Sequence, residues 1–335
     1  MAGNTATRTY TIYIARPKVG EIVNYTPDTP STGYDLSTAK SGYSDAQTID
    51  STYDPTTWKI MEVDENGNIT KLLGVGAKTV FFKGSTGYNN VVYLLNDICK
   101  SKYGNASLGA TARSLNVEDI ESKMNSKGIA ARNGYKSGTT QYGTTRKYTG
   151  RDKTYPALYE QEKYAGVKRN ADNTLTEVSD VDDGTQVITG NVDADAQAKM
   201  NPSGKTQSED VYTAATKDTS KTASTTLTCT QTGYYMSSQS SYSYFNDSNF
   251  YNMIFGTGTY FWLASRYVSC DSENSNAYFG LRHVNNSSLS GFCLFTSSGN
   301  NDPACARLAP VVSLGSGIQI KSGRGTKRNP YAIRK

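Results

Sequence analysis

The chain has 335 residues, of which 36% are hydrophobic, and it is rich in glycine (30) and tyrosine (25). Its formal net charge is +5, from 35 basic and 30 acidic residues that form no dense basic block. This composition indicates a loop-rich β or α+β protein with a modest core. It argues against nucleic-acid binding, and the apolar runs are too short for membrane insertion.

The N-terminal segment, residues 1–17, is predicted to be an arm in front of the main domain. Residues 8–15 alternate bulky and small side chains, which predicts a strand. This strand serves either as an attachment or oligomerisation arm or as an extra edge strand. The N-terminus contains no apolar core of signal-peptide length, so we expect no signal peptide.

A β-hairpin is the clearest local prediction. The segments Thr57–Val63 and Ile69–Val75 have strand-like composition, and between them lies Asn66-Gly67. Asn-Gly favours the tight turn that joins two antiparallel strands. The segment between Val19 and Thr52 is rich in Pro, Gly, Thr and Tyr and predicts long loops.

Two helices are expected after the hairpin. Apolar residues at helical spacing, among them Cys99 on the buried side, predict a helix from Asn89 to Lys102 that ends at Gly104. A second, shorter apolar stripe predicts a helix from Ser114 to Met124, with Asn116 as its N-cap.

The next part of the chain, residues 133–224, has few aliphatic residues and many Thr, Ser, Gly, Lys, Asp and Asn. Such a composition buries too little apolar surface to offset the entropy of ordering. We therefore predict a polar insertion at the periphery of the domain. Its Tyr-rich start is alternatively a contact with neighbouring subunits. Regular structure is expected to resume at Thr225.

The stretch from Tyr260 to Leu314 alternates apolar or glycine residues with Asn and Ser, which predicts short strands separated by turns. Its closing run, Arg307 to Leu314, is nearly all apolar, as expected for a strand covered on both faces. Pro310 lacks a backbone N–H, so on one side its partner must be a bulge or absent.

Residues that support catalysis or metal binding are sparse. Five cysteines without a CxxC pair argue against a disulfide framework and a zinc site. The only histidine is His283, so a Ser-His-Asp device would depend on it alone. Asp271, Glu273 and Asp302 have a spacing that matches no calcium loop. We therefore expect no enzyme, no cofactor and no metal.

The order of motifs YFWLASRYV, FGLR and LAPVVSL resembles the C-terminal half of C-type-lectin-like variable proteins, the targets of diversity-generating retroelements in bacteria and phages. The motif ATARSLNVEDIE is similar to the second helix region of the same family. The resemblance implies an α+β fold with two helices flanking small twisted antiparallel sheets. Its two halves would be residues 18–132 and 225–321, followed by an exposed basic tail, 322–335. A hairpin before the helices fits that order less well, because a helix is expected first.

In that family a reverse transcriptase miscopies template adenines, and the altered copy replaces the end of the gene. Miscopied Asn codons give residues such as Ser, Asp, Tyr, His, Cys, Phe and Pro, and never a stop codon. Lysine is absent from Tyr267 through Leu314. Ordinary turn chemistry is the alternative explanation for such Asn- and Ser-rich segments.

On the variable-protein interpretation, the positions between the apolar residues form the ligand-binding surface, with Phe292 as its exposed anchor. The predicted contact residues are His283, Asn285, Asn286, Ser288, Phe292, Cys293, Asn300, Asn301, Asp302 and Pro303. The residues expected to hold this surface in place are Trp262, Leu281, Leu294 and Val311.

The resemblance implies a hypervariable receptor-binding protein on a phage tail, so that a host-surface protein or glycan is the partner. The protein would be a homo-oligomer such as a trimer. One alternative is a bacterial surface or exported adhesin of the same fold. A third is a formylglycine-generating-type enzyme, whose cysteine pair these residues do not reproduce. The sugar-site triplets of calcium-dependent lectins are absent, so binding is expected to be calcium-independent.

Overall fold

A computed structural model describes residues 16–28, 33–36, 48–134, 136–137, 140–141, 144–150, 167–169, 175–177, 212–214, 225–231, 241–256, 258–270, 277–286, 288–296 and 303–335. Over these residues the protein is mixed α+β, rich in strands with few helices, and its two larger sheets contain seven and five strands. The strand predicted for residues 8–15 lies outside the described residues.

The first part of the domain contains seven strands and three helices. In chain order these are β1 (Ile22–Asn24), β2 (Tyr34–Asp35), β3 (Thr48–Ile49), β4 (Thr57–Val63), β5 (Ile69–Val75), β6 (Thr79–Lys83), α1 (Gly84–Tyr103), β7 (Thr111–Ser114), α2 (Val117–Glu121) and α3 (Ser126–Gly134).

The middle and last parts add fourteen strands and one helix to the described elements. They are β8 (Lys136–Ser137), β9 (Thr140–Gln141), β10 (Thr144–Gly150), β11 (Val167–Arg169), β12 (Leu175–Glu177), β13 (Tyr212–Ala214), β14 (Thr225–Gln231), α4 (Ser248–Phe255), β15 (Tyr260–Cys270), β16 (Ala277–Asn285), β17 (Ser288–Thr296), β18 (Pro303–Arg307), β19 (Pro310–Ser313), β20 (Gln319–Ser322) and β21 (Tyr331–Arg334).

The seven-stranded sheet, sheet A, has the order β20-β21-β1-β4-β5-β19-β7. The predicted hairpin is confirmed as β4 and β5, which pair antiparallel with Trp58 opposite Gly74. Its turn is held by the Asp64 carboxylate, which accepts hydrogen bonds from the backbone N–H groups of Asn66 and Asn68. Gly67 has a φ of 85°, a conformation that glycine adopts without strain.

Strand β19 confirms the prediction for the closing apolar run. It lies between β5 and β7, and Val311 and Val312 are both 0% exposed. Val311 belongs to the core cluster that contains Phe250 of α4, while Val312 packs with Cys99 of α1 on the other face. Pro310 is opposite Ser114 of β7, and the pairing with β5 begins only at Val311. Its missing donor is thus tolerated at the first position of the strand.

The first helix confirms the predicted apolar stripe but begins earlier than expected. Leu95, Ile98 and Cys99 are completely buried. Helix α1 starts at Gly84, directly after β6, without a side-chain cap. Its first turn contains weak helix formers, so the strand-to-helix connection sets this boundary and propensity does not. Gly104 follows the helix with a φ of −72°, so it ends α1 without left-handed backbone.

The second helix is shorter than predicted and spans Val117–Glu121, while Ser114, its predicted first residue, is the last residue of β7 and pairs with β19. The predicted N-cap is confirmed: the Asn116 side chain accepts the Asp119 N–H, and the Asp119 carboxylate accepts the Asn116 N–H. Arg113 donates two hydrogen bonds of 2.6 Å to Asp119. Burial by itself raises the pKa of Asp119, but the Arg113 guanidinium outweighs this effect and the net shift is downward.

Some parts of the polar segment 133–224 are described, and they form short strands. β10 pairs with β14 along its length, from Thr144 opposite Gln231 to Gly150 opposite Thr225, and β13 lies on the other side of β14. Thr225 begins strand β14, which pairs with β10 and β13 of this same segment, so the predicted boundary at Thr225 stays a prediction. The peripheral position of the whole segment stays a prediction.

The basic tail was expected to be exposed, and for its last strand this expectation is wrong. β21 pairs in parallel with β1 and antiparallel with β20. Tyr331 is buried, and its hydroxyl donates a 3.1 Å hydrogen bond to Glu21. The described N- and C-terminal strands are therefore neighbours in sheet A.

Candidate functional site

The five-stranded sheet, sheet B, has the order β17-β16-β15-β18-β6 and contains most of the predicted ligand-binding residues. Successive side chains of a strand point to opposite faces. One face carries Trp262 and is contacted by α1, and we call it the Trp262 face. The other carries Phe261, which packs in the core cluster with residues of α4, and we call it the Phe261 face.

The residues predicted to hold the surface in place are confirmed as core. Trp262, Leu281, Leu294 and Val311 are all 0% exposed. The indole Nε1–H of Trp262 donates a 2.8 Å hydrogen bond to the Val80 carbonyl oxygen. Trp262 thereby links β15 to β6 across the intervening strand β18, and its buried polar atom is satisfied.

The turn between β16 and β17 presents three of the predicted contact residues. Asn285 and Asn286 are exposed and Ser288 is half-buried. Asn286 has a φ of 49°, a left-handed conformation that Asn tolerates better than most residues. Its side-chain oxygen accepts the Gly258 N–H at 3.0 Å, and its own N–H donates to Thr259 at 2.8 Å. Asn286 is therefore both accessible and a structural turn residue.

Strand pairing brings Pro303 to the same end of sheet B as this turn. β15 and β18 are parallel with Phe261 opposite Arg307, so Pro303 lies beyond the start of β15. Tyr260, which begins β15, is opposite Asn285. Pro303 itself is exposed. We call this end of sheet B, which carries Asn285, Asn286, Ser288 and Pro303, the turn end.

His283 was expected to contact ligand from the surface, and this expectation is wrong because its side chain is only 2% exposed. The imidazole stacks on the ring of Phe292, with centroids 4.1 Å apart and an interplanar angle of 10°. Burial lowers the pKa of His283 to about 4. The sole histidine of the chain is thus a neutral packing residue at pH 7.

Phe292 is half-buried, whereas the sequence predicted an exposed anchor. Besides stacking on His283, its ring makes an edge contact with Trp262 at 5.7 Å between centroids. Phe292 therefore combines a partly accessible surface with a packing role. Cys293, the next residue, is half-buried and is not part of a disulfide. Since register partners share a face, Cys293 lies on the Phe261 face and Phe292 on the Trp262 face.

Three further predicted contact residues, Asn300, Asn301 and Asp302, lie outside the described residues. So do Asp271 and Glu273, the other two carboxylates considered as calcium ligands. Within the described ranges, no group of three or more His, Cys, Asp or Glu side chains is arranged to hold a metal ion.

Sequence analysis missed Phe81, which is 43% exposed in β6. The next residue, Phe82, is 0% exposed and makes an edge contact with Trp262 at 5.9 Å between centroids. Two consecutive Phe residues in a strand point to opposite faces. The Phe-Phe pair was therefore the signal in the sequence, and only the tertiary structure shows which of the two rings is the more exposed.

A concave surface cleft of about 450 Å³ lies elsewhere, beside β1 and the start of α4. Its polar lining includes Lys18, Glu21, Lys59 and Asn249. All the described residues that line it precede Tyr260 or follow Leu314. None of the predicted contact residues that the structure describes lines this cleft.

Comparison with known proteins gives no match: no family model fits the chain, and neither a curated protein nor a solved structure is significantly similar to it. Among the helices in the described part of the chain, none has the length and apolar character needed to cross a membrane.

Proposed function

We propose that this protein is a hypervariable ligand-binding protein with a C-type-lectin-like fold, and that the turn end of sheet B is part of its contact surface. Retroelement-directed replacement of adenines would vary the contact residues. Display on a phage tail, with a host-surface protein or glycan as ligand, is the setting that the motif resemblance favours.

The observation that carries the proposal is the division of side chains along β15 to β18. Trp262, Leu281 and Leu294 are completely buried, whereas Asn285, Asn286 and Pro303 are exposed at one end of the same sheet. Exposed positions without a structural role, such as Asn285, usually change stability by only about half a kcal/mol when substituted. Contact chemistry at these positions can therefore vary while the interior preserves the backbone.

The composition of the exposed set also supports a binding role. Asn, Ser, Tyr and Gly predominate in antibody paratopes, where they give adaptable hydrogen bonds and rigid contact area. The corrected position of His283 supports binding over catalysis, because a buried imidazole whose pKa is lowered to about 4 is poorly suited to proton transfer near neutral pH. An adhesin on a bacterial surface would use the same end of the sheet.

The decisive test is to sequence this gene from many isolates. Differences are expected to concentrate in codons 267 to 306, at adenines of the template sequence, and to spare the codons of Trp262, Leu281 and Val311. The codon of His283 should vary less than those of Asn285 and Ser288, because its side chain is buried. Differences spread evenly over the chain, or concentrated in residues 133–224, would contradict the proposal.

A further inference from the structure

The cleft beside β1 and the start of α4 combines a concave shape with charged side chains. Its volume of about 450 Å³ lies within the range of roughly 300–1,000 Å³ that is usual for small-molecule sites. The polar side chains of its lining are those of Lys18, Glu21, Lys59, Asn249 and Asn252. None of them belongs to the stretch from Tyr260 to Leu314 that is proposed to vary, the variable stretch. A ligand in this cleft would therefore meet residues that do not change.

Lys59 contributes a positive charge that no acidic group of the chain neutralises. It is opposite Ile22 of β1 and Leu73 of β5, and Leu73 packs in the core cluster that contains Met253 of α4. Because register partners share a face, Lys59 lies on the face of sheet A that α4 covers. Its side chain is half-buried and has neither a hydrogen bond nor an ion pair within the part of the chain that the structure describes. Its ammonium group can therefore bind an anion without first breaking an internal ion pair.

The described lining of the cleft carries a net positive charge. Lys18 is exposed and adds a second ammonium group, and Glu21 is the single acidic residue of the lining. Oε2 of Glu21 accepts hydrogen bonds from the Lys18 backbone N–H at 2.8 Å and from the Tyr331 hydroxyl at 3.1 Å. Oε1 accepts none from the described residues, so it is available to a ligand hydroxyl. Two cations against one carboxylate favour an anionic ligand.

The start of α4 argues against a phosphate group as that anion. Helix N-termini bind phosphate through free backbone N–H groups. Here Oδ1 of Asp247 already accepts the N–H groups of Asn249 at 2.7 Å and Phe250 at 3.2 Å, and its negative charge would repel a phosphate. The side-chain amides of Asn249 and Asn252 are exposed, and amides both donate to and accept from hydroxyl groups. The lining therefore fits a carboxylate with neighbouring hydroxyl groups.

We propose that this cleft is a ligand site of its own, apart from the turn end, and that it binds an acidic sugar, a sugar ring that carries a carboxylate. Lys59 and Lys18 pair with the carboxylate. Asn249, Asn252 and Oε1 of Glu21 form hydrogen bonds to the ring hydroxyls. This site does not require that any residue of the variable stretch actually varies.

The test uses the full-length protein with glucuronate as the probe and glucose as the matched neutral sugar, each titrated by ligand-observed NMR. A single sugar makes few contacts, so we expect a dissociation constant on the order of 1 mM for glucuronate. Glucose lacks the carboxylate and should bind at least about ten-fold more weakly.

Three substitutions locate the binding in the cleft. Lys59→Met removes the ammonium and keeps an unbranched side chain, so glucuronate should bind about ten-fold more weakly. Lys100→Met makes the same change at an exposed lysine that does not line the cleft, and binding should stay within about two-fold. Asn249→Ala should weaken glucuronate binding several-fold, because a hydrogen bond to a hydroxyl is lost. Asn285→Ala, at the turn end, should leave it unchanged.

Four results would overturn the inference. They are no measurable glucuronate binding up to about 50 mM, equal binding of glucuronate and glucose, undiminished binding to Lys59→Met, and tighter binding of inorganic phosphate than of glucuronate. If Lys59→Met failed to fold, Asn249→Ala on the exposed surface of α4 would decide, and undiminished binding would again overturn the site. None of these results changes the distribution of differences among isolates, so failure of the proposed function is detected separately.

Discussion

Strands β18 and β19 follow one another with only Leu308 and Ala309 between them, yet their side chains have different environments. In β18, Ala304 and Ala306 are buried while Pro303 and Arg307 are exposed. In β19, Val311 and Val312 are buried on opposite faces, because the strand lies between β5 and β7 with a core cluster on each side of sheet A. A strand with one covered face leaves alternate side chains available for contacts, and a strand covered on both faces leaves none.

The comparison gives a structural limit for the variable stretch. Substitutions in β18 at Pro303 or Cys305 reach the surface, whereas any change at Val311 or Val312 would enlarge or crowd a packed interior. Variation is therefore expected to stop before β19 begins. The same contrast holds within sheet B, between buried Trp262 and the exposed turn residues.

The largest expected effect is the loss of stability when a fully buried side chain is removed. Replacement of Trp262 by Ala removes a completely buried ring and should lower the free energy of unfolding by roughly 3–5 kcal/mol in chemical denaturation. Trp262→Phe keeps most of the packing but loses the hydrogen bond to Val80, so its cost should be smaller. A loss below about 1 kcal/mol for the Ala variant would show that Trp262 is not a core residue.

The next effect depends on pH and arises from His283. Its pKa is lowered from 6.5 to about 4 in the folded protein, so between these values the unfolded chain binds more protons. The stabilising contribution is complete above the unfolded pKa and is lost as the pH falls through 6.5 toward 4. It amounts to at most about 3 kcal/mol.

The measurement for His283 is the free energy of unfolding at several pH values in this range. His283→Gln removes the titration, so the difference between the two proteins isolates the imidazole from the carboxylates that also titrate. If both proteins lost stability in parallel, His283 would be accessible to solvent and would belong to the contact surface as the sequence predicted.

Phe292 is intermediate between the fully buried and the exposed side chains, because it is half-buried and stacked on His283. Phe292→Ala should cost about 1–3 kcal/mol, less than a fully buried ring. An exposed anchor, as the sequence predicted, would change the Tm little when replaced. Phe292→Tyr keeps the stacked ring and serves as the control. An unchanged Tm for the Ala variant would restore Phe292 to the freely substitutable positions.

The smallest effects separate two adjacent asparagines of the turn. Asn286→Ala loses the hydrogen bond from Gly258 and places Ala in left-handed backbone, which should cost about 1 kcal/mol. Asn285→Ala should change stability by no more than about half a kcal/mol, since its side chain is exposed. The losses of stability are measured as shifts of the denaturation midpoint. Equal shifts would mean that neither the Asn286 hydrogen bond nor its left-handed backbone stabilises the turn.

The sequence by itself determined the elements whose causes are local. The β4–β5 hairpin follows from two strand-like segments around Asn66-Gly67, and the start of α2 follows from the Asn116 cap. The doubly covered β19 follows from a continuous apolar run. In each case the physical cause lies within a few neighbouring residues, so the pattern could be interpreted without knowledge of distant partners.

Only the tertiary structure decided which face of a strand is covered. The same alternation in Thr79–Lys83 would bury either Phe81 or Phe82, and pairing with β18 under α1 selected Phe82. His283 is polar, but its register opposite Trp262 places it inside. Tyr331 is buried because β21 pairs with β1, which is far away in sequence. Burial is a property of partners brought together from distant parts of the chain, and the sequence pattern does not identify those partners.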